Sequence, residues 1–122
     1  MRRVLIIEGY LTTLLPEGPV IEQQVLGSKY TVLNFANLDE IPAMMFREAE
    51  ALIVRPGVIL KDEDINKLDR CKVIVSLGVG VEHIDTVASR KHKIPVCNIP
   101  DFATEEVADT TLAMMLYFQR SL

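Results

Sequence analysis

Short apolar runs recur along the chain and are separated by polar stretches. Five runs rich in Val, Ile and Leu predict β-strands, at 3–7, 30–35, 51–55, 72–76 and 95–99. Several of these runs are nearly continuous instead of alternating, which is typical of strands buried on both faces of a parallel sheet. The polar stretches between them carry apolar residues at helical spacing and predict four helices, at 20–26, 40–50, 62–70 and 85–92.

Strands that alternate with helices favour a parallel sheet with helices on both faces. We therefore predict an α/β chain of the flavodoxin-like class, without an internal repeat. Asp62 is a candidate cap for the third helix, since a carboxylate can accept hydrogen bonds from the free amides of a first turn.

Residues 104–122 predict one long final helix, with Thr104 as its N-cap and two acids in its first turn. Its apolar residues cover well over half of the helix circumference, whereas a helix on the outside of one small sheet needs a single apolar stripe. Two interpretations stay open. The helix lies in the centre of the core, or it packs against another domain or subunit.

Composition narrows the class of protein. The chain has 122 residues, 49% hydrophobic and 25% charged, which is typical of one globular domain. A net charge of −4 argues against a nucleic-acid partner. No apolar stretch approaches the length needed to cross a bilayer, and the short run at 4–7 reads as a strand and not as a signal peptide. Cys71 and Cys97 lie in apolar runs, so we expect buried, reduced thiols and a cytoplasmic protein.

The most informative stretch is the loop after the fourth predicted strand, where Gly78-Val79-Gly80 leads into a helix. Ligands of open α/β sheets bind outside the carboxyl ends of the strands. Glycines there let the backbone approach a ligand, and exposed amides form an anion-binding turn. The expected ligand is a small carboxylate.

This loop is not a dinucleotide-binding fingerprint. That motif requires a third glycine three positions after Gly80, and His83 occupies this position. None of the six glycines completes the pattern elsewhere. The 122 residues therefore contain no pyrophosphate site of the Rossmann kind.

Other candidate residues follow neighbouring strands. Arg55 ends the third predicted strand and is either a carboxylate contact or a salt-bridged surface arginine. Tyr10 follows the first strand and is a candidate for the same edge of the sheet. Asn98 ends the last strand, where its amide is a candidate to hold the glycine loop.

Taken together and in order, these stretches resemble the D-isomer-specific 2-hydroxyacid dehydrogenase family. The family's loop Gly-Val-Gly-Val-Asp-Asn-Ile-Asp corresponds to residues 78–85. Residues 98–109 follow the pattern Asn-x-Pro-Asp-aromatic-x-x-Glu-Glu-Val-Ala-Asp, which leads into the linking helix in the C-terminal-binding-protein-like branch. The likeness is strong over residues 51–120 and weak before residue 50.

The resemblance implies that residues 1–100 form a substrate-binding domain and that residues 101–122 form a linking helix toward an NAD-binding Rossmann domain outside this chain. The carboxylate of a small 2-hydroxy or 2-keto acid would bind the main-chain amides of Gly78, Val79 and Gly80. Arg55 would lie near this substrate. Thr111 would approach the nicotinamide end of NAD.

The family's catalytic arginine, glutamate and histidine lie beyond the linking helix, so the resemblance implies no catalytic residue in this chain. NADH would supply the hydride, and the histidine would act as general acid when the 2-keto acid is reduced. The chain alone is therefore expected to be an inactive, truncated part of an oligomeric enzyme, such as a dimer, and to hold no metal.

The sequence departs from the family at three positions of the loop region. Ser76 stands where many members have arginine, and Glu82-His83 replaces Asp-Asn. His83 has a pKa suited to acid catalysis, but its family counterpart organises the loop, so we do not assign it a catalytic role.

Two further classes were weighed. The C-terminal-binding-protein-like branch includes corepressors that hold peptides in this domain, and a binding module of that kind would carry an exposed apolar groove near the N-terminal strands. A phosphoacceptor receiver domain shares the strand order but needs an aspartate where Arg55 stands.

Overall fold

A computed structural model describes residues 2–9 and 18–121 of the chain; Tyr10 lies outside the described residues. The strands are β1 (Arg2–Ile7), β2 (Tyr30–Phe35), β3 (Ala51–Val54), β4 (Val73–Ser76) and β5 (Val96–Cys97). The helices are α1 (Val20–Leu26), α2 (Ala43–Arg47), α3 (Asp62–Ile65), α4 (Thr86–Lys91) and α5 (Thr104–Arg120). Every predicted strand is present, within one or two residues at each end.

The strands form one parallel sheet in the order β2-β1-β3-β4-β5. This is the flavodoxin-like order, which confirms the predicted fold class. The register places Ile7 beside Val54, and Val54 beside Ser76. The residues that follow β1, β3 and β4 therefore meet at one edge of the sheet.

The two faces of the sheet bury different side chains, since successive residues of a strand point in opposite directions. Leu5 and Ile7 join the larger cluster, which also takes in side chains of three helices, namely Phe46 of α2, Ile65 of α3 and Ala88 of α4. Val4, Ile6 and Val32 form a smaller cluster on the opposite face, against Leu26 of α1. Helices thus lie on both faces, as predicted.

Two helices are shorter than their apolar patterns indicated. Pro42 disfavours a helical conformation for the residue before it, and Ile41 is extended, so α2 begins only at Ala43. The chain after Ile65 tightens: the amide of Leu68 bonds to the carbonyl of Ile65, three residues back, which ends the regular α-helix.

The predicted caps at Asp62 and Thr104 are wrong, because both residues already lie inside their helices, at the first position. Asp64 instead accepts a hydrogen bond from the amide of Lys61 at the start of α3, at 3.2 Å. By contrast, Asp85 precedes α4 and accepts a hydrogen bond from the amide of Ala88 at 2.9 Å.

α5 is exposed along its whole length. Its large apolar side chains are 53% (Tyr117) to 78% (Phe118) exposed, so the interpretation of a central core helix is wrong for the described residues. None of the helices among residues 2–9 and 18–121 combines the length and apolar character needed to span a membrane.

Both cysteines are free thiols, but the prediction that both are buried is wrong. Cys71 is half-buried just before β4, and Cys97 is exposed in β5. The reason is that β5 is the last strand of the sheet and only two residues long, between Pro95 and Pro100.

Replacing Leu52 with alanine tests the core. Leu52 is fully buried in β3, so its truncation leaves a cavity and is expected to lower the free energy of unfolding by about 2–5 kcal/mol. Val87→Ala serves as the control because Val87 is 79% exposed, and its effect should stay within ~0.5 kcal/mol. Chemical denaturation measures both, and equal midpoints would contradict the assigned core.

Candidate functional site

The segment that follows β3 holds the loop between β4 and α4 at the point where the loop leads into α4. The amide of Leu60 bonds to the carbonyl of His83 at 2.8 Å, and the amide of Asp85 bonds to the carbonyl of Leu60 at 2.9 Å. With Asp85 capping α4, both ends of the loop are tied to regular structure.

Three successive carbonyls of the loop are occupied by hydrogen bonds from the protein. The amide of Ile99 donates to the Gly78 oxygen at 3.0 Å. The side-chain amide of Asn98 donates to the Val79 oxygen at 2.7 Å, and the hydroxyl of Ser76 donates to the Gly80 oxygen at 2.8 Å. The predicted hold of Asn98 on the loop is thereby confirmed in the structure.

The amides of the same three residues have no acceptor among the described residues. Because all three carbonyls accept hydrogen bonds and the three N–H groups have no acceptor in the part of the chain that the structure describes, the loop has a local excess of donors, as an anion-binding turn does. A Cβ at Gly78 would come 3.0 Å from Cγ of Pro56, so a larger residue would push the loop away from the end of β3.

The three residues that depart from the family pattern, Ser76, Glu82 and His83, have distinct surroundings. His83 is half-buried, with Nε2 3.5 Å from Oγ of the fully buried Ser76. Its neighbour Glu82 folds back, and its carboxylate lies where a side chain at Gly80 would begin. Sequence reasoning gave Glu82 no role, and its approach to the loop depends on the turn at residues 82–83.

Arg55 is ion-paired. Its Nε lies 3.5 Å from Oε2 of Glu8, and its Nη2 lies 3.9 Å from Oε1 of Glu22 on α1. Arg55 was expected either to form a salt bridge or to contact the carboxylate of a ligand. The structure contains the salt bridge, and the contact to a ligand stays a prediction. The sequence analysis missed Glu8 and Glu22; the only available signal was an acid directly after an apolar strand.

Thr111 lies on α5, apart from the loop's own element. Its hydroxyl donates to the carbonyl of Val107 at 2.7 Å, which leaves the oxygen's lone pairs available to an outside donor. No group of three or more metal-ligating side chains occurs among the described residues.

The resolved pKa shifts lie near the amino ends of the strands, away from the loop. A hydrogen bond from Lys72 lowers the pKa of Glu50, and Lys72, Arg2 and Arg70 add to this by their charges. Burial raises the pKa of the Cys71 thiol. Neither group contributes to the candidate site.

Comparison with known proteins identifies similar chains. Residues 13–117 match the sequence profile described as D-isomer specific 2-hydroxyacid dehydrogenase, catalytic domain. C-terminal-binding protein 1 of Caenorhabditis elegans is 32% identical over 98 residues, which are 79% of this chain and 14% of that protein. D-3-phosphoglycerate dehydrogenase of Methanocaldococcus jannaschii is 37% identical over 76 residues, 62% of this chain and 14% of that protein.

A solved structure has the same fold. D-lactate dehydrogenase from Aquifex aeolicus, complexed with NAD and lactic acid, superposes with a TM-score of 0.80 at 26% identity. The match covers 95% of this chain and 33% of that one. The chain therefore spans about a seventh of the curated relatives and a third of the solved structure.

Removing the Asn98 side chain tests how the loop is held. Asn98→Ala frees the Val79 carbonyl and is expected to cost about 1 kcal/mol of stability and to increase the picosecond-to-nanosecond motion of residues 78–80. Nitrogen-15 relaxation measures the motion. Asn66→Ala is the matched control, because the Asn66 side chain is exposed and makes no hydrogen bond to the described residues. Unchanged relaxation in Asn98→Ala would refute this role.

Proposed function

The chain belongs to the D-isomer specific 2-hydroxyacid dehydrogenase family, and from this premise we propose that it is the substrate-binding part of an NAD-dependent D-2-hydroxyacid dehydrogenase. Residues 1–100 form the substrate-binding domain, and residues 101–122 form the linking helix toward the domain that binds NAD. The substrate is a small 2-hydroxy or 2-keto acid. We place the protein in the cytoplasm.

One observation carries this proposal: the carbonyls of Gly78, Val79 and Gly80 all accept hydrogen bonds, while their amides have no acceptor within residues 2–9 and 18–121. A carboxylate has two acceptor oxygens and no donor, so it complements such a loop. Arg55 offers further hydrogen-bond donors near the substrate through the guanidinium N–H groups that its two acids leave free.

The chain's residues bind and orient, and other groups carry out the chemistry. When bound, NAD supplies or accepts the hydride. The chain has no Gly-x-Gly-x-x-Gly motif for the pyrophosphate. Thr111, exposed on α5 with acceptor capacity to spare, fits a contact to the nicotinamide end of the cofactor.

The alternative function is a peptide-binding module like that of the C-terminal-binding-protein branch. One feature favours it, an open groove of ~340 Å³ beside α1 and β2, lined by Pro19, Val20, Gln23, Gln24 and Val32. This groove has few polar groups to fix a ligand's orientation, whereas the glycine loop offers three backbone donors without an acceptor among the described residues. A peptide would perturb amide signals of Val20 and Val32, and a hydroxy acid would perturb those of residues 78–80.

In the isolated chain we expect substrate binding without turnover. With NADH and pyruvate we expect no NADH consumption by absorbance at 340 nm, since no residue of the chain is assigned to proton or hydride transfer. D-lactate should still shift the amide resonances of residues 78–80 in a nitrogen-15 correlation spectrum. Gly78→Ala should reduce these shifts, because its Cβ would lie 3.0 Å from Cγ of Pro56 and the two chain segments would have to move apart by a few tenths of an ångström. Measurable NADH consumption, or D-lactate shifts only elsewhere, would refute the assignment.

We further propose that α5 is a docking surface for the nucleotide-binding domain or a second subunit. The chain exposes 8455 Å², whereas a compact monomer of 13.7 kDa exposes roughly 6,600 Å². Among the described residues, α5 carries seven of the fifteen exposed large apolar side chains, more than any other helix or strand.

In the isolated chain we expect a second copy to cover α5. Sedimentation at ~100 μM should therefore show a dimer or larger species, because exposed apolar surface drives association at such concentrations. The double substitution Met115→Glu with Phe118→Glu should give monomers, since both side chains are well exposed on α5. Thr110→Glu adds charge to the same helix at a polar position and should not. A monomeric unmodified chain would contradict this expectation.

A further inference from the structure

Three charged side chains meet beside the glycine loop. Glu8 directly follows β1, Arg55 directly follows β3, and Glu22 lies on α1. Glu8 is only 2% exposed, which is unusual for a carboxylate. The Arg55 and Glu22 side chains are 19% and 27% exposed. Solvent therefore reaches the group through these two residues and not through Glu8.

The contacts within this group are loose. The distances of 3.5 and 3.9 Å from Arg55 to its two acids exceed the 2.7–2.9 Å that is usual for charge-assisted hydrogen bonds. Oε2 of Glu8 and Nε of Arg55 are both buried and have no hydrogen-bond partner among the described residues. A nearly buried carboxylate oxygen with unused acceptor capacity is costly unless something else satisfies it.

The sheet places this group next to the proposed carboxylate site. Ile7 pairs with Val54 and Val54 pairs with Ser76, so Glu8 and Arg55 emerge beside the start of the loop. Adjacent strands lie ~4.8 Å apart, and β1 and β4 are therefore separated by about 10 Å. That distance is within reach of the far end of a small hydroxy acid whose carboxylate lies on residues 78–80.

The charges of the group do not balance. Two carboxylates surround one guanidinium, which leaves a local charge of −1 at the position that the far end of the substrate would reach. A second carboxylate or a phosphate would be repelled there, whereas a hydroxyl could donate to Oε2 of Glu8, which has no hydrogen-bond partner among the described residues.

Resting on the proposed function, we propose that Glu8, held by Arg55 and supported by Glu22, is the specificity-determining residue of the site. It selects 2-hydroxy and 2-keto acids whose far end carries a hydrogen-bond donor, and it rejects those that carry a second anionic group. Glu8 accepts the donor's hydrogen bond, and Arg55 acts on the far end as a positioning residue for Glu8.

The test compares four stable probes on the full chain: D-glycerate with a far hydroxyl, D-lactate with a methyl, D-malate with a carboxylate and 3-phospho-D-glycerate with a phosphate. Dissociation constants come from the amide shifts of residues 78–80. We expect D-glycerate to bind about tenfold more tightly than D-lactate, as one hydrogen bond to a charged group predicts. D-malate and 3-phospho-D-glycerate should bind more weakly than D-lactate.

In Glu8→Gln the preference for D-glycerate over D-lactate should fall to about threefold or less, while D-malate should gain affinity. Glu22→Gln removes the same charge from a more exposed position, so it serves if Glu8→Gln does not fold, and it should also favour D-malate. Glu48→Gln is the matched control, because Glu48 pairs with Arg3 at the opposite end of the sheet. It should leave the affinity ratios between the probes unchanged.

The outcomes distinguish the two proposals. If none of the probes shifts residues 78–80, the proposed function fails and this inference fails with it. If the probes bind there but D-malate or 3-phospho-D-glycerate binds as tightly as D-glycerate, the proposed function stands and the role of Glu8 is refuted. Affinity ratios between the probes that are unchanged in the Glu8→Gln and Glu22→Gln variants would refute it as well.

Discussion

The parallel pairing of β1, β3 and β4 is the constraint on which the candidate site depends. Because Ile7, Val54 and Ser76 lie side by side, the chain leaves three strands at one edge of the sheet. The same register brings Pro56 against Gly78 and carries Glu8 to Arg55. Any shift in this pairing would separate the glycine loop from the charged group beside it.

The strands and the loop were accessible to sequence reasoning because their signals are local. A continuous apolar run such as 73–76 needs burial on both faces, and two glycines after it mark a turn in which the backbone approaches a partner. The ends of the helices were harder to predict from the sequence. The start of α2 depends on Pro42, and the capping of α3 depends on Asp64 instead of the preceding acids.

The contact between Glu8 and Arg55 could not be predicted in the same way. The two residues are far apart in sequence and meet only because β3 pairs directly with β1. A pattern of apolar positions predicts that strands exist but not which strands are neighbours. The exposure of Cys97 has the same origin, since it depends on β5 lying last in the sheet.

The shortness of β5 has a consequence for how the chain behaves in a crowded solution. A strand at the margin of a sheet offers unpaired N–H and C=O groups to which a foreign strand can add, the first step toward fibrillar aggregation. β5 offers only two residues, and the prolines at 95 and 100 lack the N–H that would extend the ladder. This margin of the sheet is thereby closed to recruitment, whereas the opposite margin is formed by β2, which is six residues long.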